Sequence, residues 1–137
     1  MNNKAELDVE VMKKINIYEH IAKTALKQYS IIPEKLQFLS HSDNVAFCIK
    51  TSSENFLLRI HQSVSGADDN IWKKPKTIES ELIWLAALHS EDNFTVQEPI
   101  KNKSGRWVTQ VLVDGTKNIY CSLLGWIDGV IYDTQRT

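Results

Sequence analysis

The feature that most constrains this chain is a pair of alternating segments on either side of a short polar stretch. Val45, Phe47 and Ile49 alternate with Ala46, Cys48 and Lys50, and Phe56, Leu58 and Ile60 alternate with Leu57, Arg59 and His61. A period of two marks a strand, and residues 51–55 between the segments are turn-forming, so the pattern predicts a β-hairpin. With Ser53-Glu54 at its tip, position 49 faces 58 and position 47 faces 60. One face is then wholly apolar (Phe47, Ile49, Phe56, Leu58 and Ile60). The other carries Ala46, Cys48, Leu57, Arg59 and His61. A guanidinium buried in so apolar a strand is costly unless something pairs with it.

The flanking segments build outward from this hairpin. Residues 6–29 read as a helix, with Val11, Ile15, Tyr18, Ala22, Ala25, Leu26 and Tyr29 at three- and four-residue spacing, and Pro33 bars its continuation. Residues 36–40 form a short apolar alternation, and 41–44 (His-Ser-Asp-Asn) are turn chemistry. After a polar loop over 62–76, Thr77 is a candidate N-cap with Glu79 in the first turn of a helix over 78–89. That helix sets Leu82, Leu85, Ala86 and Leu88 on one side, with Glu81 on or beside it. Three more strands are expected over 96–101, 107–113 and 119–127, separated by turns at 102–105 and 114–117. The order predicts an α+β domain: a largely antiparallel sheet with an N-terminal helix and one helix inserted after the third strand.

Composition narrows the function classes. A chain of 137 residues, 42% hydrophobic and with a net charge of −1, suits one domain with its own core and lacks the basic footprint of a nucleic-acid binder. Its one dense basic cluster, Lys73, Lys74 and Lys76, reads as a solvated loop. Cys48 and Cys121 lie far apart in apolar runs, which suggests buried thiols rather than a disulfide framework. The first residues lack the apolar core of a signal peptide, and no run reaches membrane-spanning length, so the expected setting is cytoplasmic. The sequons at Asn93 and Asn102 are then chance matches.

Two charges call for explanation: Arg59 on the third strand and Glu81 on the helix that follows. Together they suggest an ion pair across strand and helix. It could simply pin the helix to the sheet. It could also orient Arg59 toward a phosphate, because a guanidinium presents a rigid fork of donors matched to phosphate oxygens.

In this order, the segments SHSDNVAFCIKT, ENFLLRIHQ, TIESELIWLAALHS, TVQEPI and YCSLLGWIDG resemble the N-terminal lobe of kinase-like phosphotransferases. The nearest resemblance is to the aminoglycoside phosphotransferase and choline or homoserine kinase-like group. It divides the chain into an N-terminal helical segment (1–33), a kinase-like nucleotide-binding lobe (34–129) and the start of a linker (130–137) toward a C-terminal lobe that the chain lacks. By that resemblance Ser42, Asp43 and Asn44 match the phosphate-covering loop, here without glycine, so backbone N–H groups and the Ser42 hydroxyl would make the contacts. Arg59 matches the basic residue that holds the ATP phosphates, where lysine is commoner. Glu81 matches the glutamate that pairs with it, with Glu79 as the alternative. Ala46 and Leu57 would sandwich the adenine. Leu124, Gly125, Trp126 and Ile127 match the hinge, whose backbone binds the adenine edge; Trp126 taken alone reads rather as a core or interface aromatic.

The resemblance also implies what is missing. Phosphoryl transfer of this kind needs a carboxylate to accept the substrate proton and Asn and Asp ligands for magnesium, carried in an H-x-D-x-x-x-x-N loop and a later aspartate. None of His20, His41, His61 and His89 completes that pattern, so no catalytic residue is assigned and magnesium would be held mainly by the absent lobe. There is no G-x-x-x-x-G-K-[ST] loop, C-x-x-C or H-E-x-x-H. Cys48, near His61, reads as inert core rather than a nucleophile. The leading expectation is the ATP-binding lobe of a small-molecule kinase, catalytically silent alone, whose acceptor would be an aminoglycoside-, choline- or homoserine-like alcohol. The rival is a non-enzymatic α+β ligand-binding or interaction domain in which the Arg59–Glu81 pair is structural. A lone lobe should also expose apolar surface at Leu123, Trp126 and Ile127, and so self-associate.

Overall fold

A computed structural model describes residues 3–40, 45–61, 75–91, 97–113 and 117–127. The element order is α1 (Asn3–Leu26), β1 (Lys35–Ser40), β2 (Val45–Lys50), β3 (Asn55–Ile60), α2 (Pro75–His89), β4 (Pro99–Ile100), β5 (Thr109–Val113) and β6 (Lys117–Gly125). All six strands join one antiparallel sheet in the order β1-β2-β3-β6-β4, with β5 also paired to β6. This is the α+β architecture expected from the sequence, with a helix before the sheet and another after the third strand.

The central hairpin forms with a register two residues from the expected one. Ile49 faces Phe56 and Phe47 faces Leu58. The cause is Thr51. Its N–H donates to the Glu54 carbonyl at 3.1 Å and its Oγ1 accepts from the Glu54 N–H at 3.1 Å, which centres the turn on Ser52-Ser53. A shift of two keeps every side chain on its predicted face, whereas a shift of one would have exchanged the faces.

Other boundaries moved for equally local reasons. The first helix ends at Leu26, short of Tyr29, and the chain tightens through i→i−3 bonds from Gln28 to Ala25 and from Tyr29 to Leu26. Ile21, omitted from the expected apolar stripe, is buried with Ala22, Ala25 and Leu26. The second helix begins at Pro75, so Thr77 lies inside it rather than capping it, and Glu79 falls beyond the first turn. Proline suits that first position because its φ is preset and its missing N–H would have no helical partner there. The fourth strand shrinks to Pro99–Ile100 at a sheet edge, the place where a residue without an N–H is tolerated. Lys117, expected in a turn, opens β6.

The two faces of the sheet have separate cores. Under α1 lie Val45, Phe47, Ile49, Phe56, Leu58, Ile60, Val111, Ile119, Cys121 and Leu123, packed with the helix's Ile21, Ala22, Ala25 and Leu26. Phe38 and Phe47 meet edge to face at 5.7 Å. The other face carries a smaller cluster of Ala46, Leu57, Val108 and Leu124 against Ile78 and Leu82 of α2. Leu123, expected to be exposed, is fully buried, because it pairs with Leu58 on the α1 side.

Candidate functional site

The face under α2 gathers the residues singled out by the sequence. Arg59 lies opposite Ala46 on β2 and Ser122 on β6, while Leu57 lies opposite Cys48 and Leu124. The strand alternation therefore places Ala46, Leu57, Arg59 and Leu124 on one surface. Arg59 Nη1 donates to Glu81 Oε1 at 3.1 Å, with the two side chains 20% and 46% exposed. Glu79, the alternative partner, instead meets Arg106 Nη2 at 3.8 Å. Among the described residues the bond to Glu81 is the only one the Arg59 guanidinium makes, out of the five N–H donors it carries.

Position along β3 orders the site. Leu57 precedes Arg59 by two residues, roughly 6.6 Å, on the side nearer Gly125. An elongated ligand on this surface would thus meet apolar side chains at the β6 end and a cation farther along. Ala46, Leu57 and Leu124 are buried in the α2-side cluster. At the end of β6, the Gly125 N–H donates to the Glu98 carbonyl at 2.8 Å and the Trp126 N–H to the Asn55 carbonyl at 3.3 Å. A cavity of about 460 Å³ opens beside them, lined by residues 51–55, His89, Glu98, Gly125, Trp126 and Ile127. Trp126 and Ile127 are half-buried. A Cβ on Gly125 would meet only ordinary contacts with Glu98, from 3.8 Å, so lack of space does not demand glycine there. Ser42, Asp43 and Asn44, together with Lys73 and Lys74, lie outside the described residues.

Two polar groupings were not assigned from the sequence. His61 Nε2 lies 2.7 Å from Ser122 Oγ, both buried, and the His61 N–H donates to the Tyr120 carbonyl. Burial, helped by the neighbouring Arg59 charge, pushes the His61 imidazole down to about 3, so it is neutral at physiological pH. The second grouping centres on buried Asn102. Its Oδ1 accepts from the N–H groups of Ser104 and Arg106, and its Nδ2 donates to the Val108 carbonyl and Thr109 Oγ1. Thr109 Oγ1 in turn donates to the Tyr29 hydroxyl at 2.8 Å. Gly105, at φ +78°, closes this turn with its N–H on the Asn102 carbonyl. Burial raises the Cys48 thiol and pushes the Cys121 thiol up to about 12, which disfavours the thiolate form.

Among the described residues no group of three or more His, Cys, Asp or Glu could hold a metal ion, and no helix is long and apolar enough to cross a membrane. No protein-family model matches the chain, and neither does any curated protein sequence. Solved structures do match. A microcompartment-associated aminopropanol kinase superposes with a TM-score of 0.67 at 27% identity, over 82% of this chain and 33% of its own. An amicoumacin kinase, solved with AMP-PNP, calcium and Ami, gives 0.57 at 16% identity, over 85% and 34%. A spectinomycin phosphotransferase, solved with ADP and spectinomycin, gives 0.55 at 12% identity, over 80% and 29%. The chain thus spans about a third of the length of the kinases it matches. Its fold is that of the N-terminal lobe of an aminoglycoside-phosphotransferase-like kinase.

Proposed function

We propose that this chain is the nucleotide-binding lobe of a phosphotransferase acting on a hydroxyl of a small molecule, an amino alcohol or aminoglycoside being the class suggested by the kinases it resembles. The observation that carries this reading is Arg59: one-fifth exposed, bonded among the described residues only to Glu81, and on the same surface as Ala46 and Leu57. The donor set suits a phosphate, and Ala46 and Leu57 supply apolar surface beside it. In this reading Arg59 holds the ATP phosphates with Ser42, Asp43 and Asn44 covering them, Ala46 and Leu57 flank the adenine, and backbone groups of residues 124–127 meet its edge. No residue of this chain is assigned to magnesium, whose protein ligands in this reading would come from a second lobe. The lobe contributes orientation and charge stabilisation rather than proton transfer.

ATP titration of the ¹⁵N-labelled chain tests this. Perturbation of Val45, Leu57, Arg59 and the 124–127 backbone is expected, with affinity lost in Arg59→Met. No perturbation at millimolar ATP would overturn the reading. The chain alone should turn over no ATP with amino alcohols or aminoglycosides, and turnover would show that it holds catalytic groups of its own.

A second reading, a non-enzymatic ligand-binding or interaction domain, draws on different observations. Ala46 and Leu57 are already covered, and the Gly125 and Trp126 N–H groups are already bonded within the sheet. The same titration separates the two.

A further inference from the structure

We infer that Arg106, in the turn between β4 and β5, is a positioning residue that biases the roll of α2 and so helps hold Glu81 within reach of Arg59. This deepens the nucleotide-lobe reading and rests on it.

The argument begins with the angular order of residues on α2. At about 100° per residue, the buried pair Ile78 and Leu82 defines the stripe seated on the sheet. Glu79 and Glu81 stand about 80° to either side of the centre of that stripe. Each meets a different arginine from a different element: Glu81 meets Arg59 of β3 at 3.1 Å, and Glu79 meets Arg106 at 3.8 Å. An apolar stripe resists lifting of a helix but resists rolling weakly, because packing contacts have no preferred direction. Two opposed ion pairs do resist it. A roll that draws one glutamate toward its arginine carries the other away.

The backbone of Arg106 is fixed, whereas its side chain is 69% exposed, so its pair with Glu79 biases the roll weakly rather than locking it. Its N–H donates to Asn102 Oδ1 at 3.0 Å, and its carbonyl accepts from the Asn102 N–H at 2.9 Å. The turn is tied to the residues after α1 through the Lys103 N–H on the Gln28 carbonyl at 2.7 Å. The roll of α2 is therefore referenced to the far side of the molecule as well as to β3.

The test follows two signals in the 137-residue chain: ATP affinity, and the Arg59 Nε–H resonance without nucleotide. Arg106→Ala should move that resonance and weaken ATP binding roughly threefold, the scale of an exposed ion pair, with little change in melting. Arg106→Lys should restore most of the affinity, as should the exchanged pair Glu79→Arg with Arg106→Glu. In a Glu81→Gln background, Arg106→Ala should add nothing. If Arg59→Met abolishes binding while Arg106→Ala leaves affinity unchanged, or if the Arg106 and Glu81 effects simply add, the inference is wrong and the nucleotide reading survives. If the unmodified chain binds no ATP, both fall.

Discussion

The sheet has two faces that solve different problems. Beneath α1 the face is largely apolar, with Val45, Phe47, Ile49, Leu58, Ile60, Cys121 and Leu123 all fully buried, and its Thr109 and Tyr29 hydroxyls are bonded to each other. Beneath α2 the apolar cluster is smaller and is interrupted by Arg59, His61 and Ser122. A face needed only for stability has little reason to hold a guanidinium and a neutral imidazole. Each must be partnered at a cost that an aliphatic side chain would avoid. On the proposed nucleotide-lobe reading, one face serves stability and the other ligand chemistry.

Two adjacent leucines break or sharpen that assignment most strongly. Leu58 points into the α1 core and Leu57 toward α2. Leu58→Ala should cost about 2–5 kcal/mol in urea unfolding. Leu57→Ala, in the smaller cluster, should fall toward the lower end of that range. It should also weaken ATP binding, which Leu58→Ala should leave unaltered in the molecules that remain folded. Equal effects of both substitutions on ATP affinity would dissolve the distinction.

His61 provides the next largest effect. Its folded-state pKa of about 3 lies well below the ordinary histidine value of 6.5. Between those values the unfolded chain binds a proton that the folded chain refuses, so stability falls as pH falls through that window. From pH 6.5 to pH 5 the expected loss is about 2 kcal/mol. His61→Gln should remove that component of the acid limb, as measured by urea unfolding at the two pH values. An unchanged slope would mean that the imidazole is solvated, and that the α2 face is wetter than described.

A smaller effect belongs to the network that joins the end of α1 to the sheet. Tyr29→Phe removes the hydroxyl that accepts from Thr109 and should cost about 1 kcal/mol. Burial pushes that phenol up to about 12, so it stays protonated and the bond is constant across the working range.

How much of this was legible in the sequence follows from how local each cause is. The hairpin faces were readable because alternation survives a register error of two, although the register itself depended on the side chain of Thr51. The Arg59–Glu81 pair was readable because a charge in an apolar strand demands a partner, and Glu81 was the carboxylate beside the next apolar stripe. Asn102 was legible only as a turn residue. Its four side-chain bonds need Thr109 at a spacing that no helix or strand period marks, and Tyr29 looked like one more residue of a helical stripe. Leu123 is expected at the surface only as part of the apolar patch a second lobe would cover, whereas strand parity places it opposite Leu58. Long-range partnerships of uncharged polar groups leave no periodic trace.

The smallest stability effect is the most discriminating. Arg59 and Glu81 form a partly solvated pair, with Glu81 nearly half exposed, so solvent screening should hold their coupling below about 1 kcal/mol in a double-mutant cycle. Arg59→Met keeps the apolar stem and deletes the charge, which leaves a Glu81 that water can solvate. If the pair served only to pin α2, its removal would register in unfolding and nowhere else. If it orients a phosphate-binding fork, its removal should barely move the urea midpoint yet abolish the ATP-induced shifts at Leu57 and the 124–127 backbone. The ratio of the two effects, more than the size of either, distinguishes a rivet from a binding group. A large stability loss with ATP binding intact would return Arg59 to the architecture and leave the α2 face without its central ligand contact.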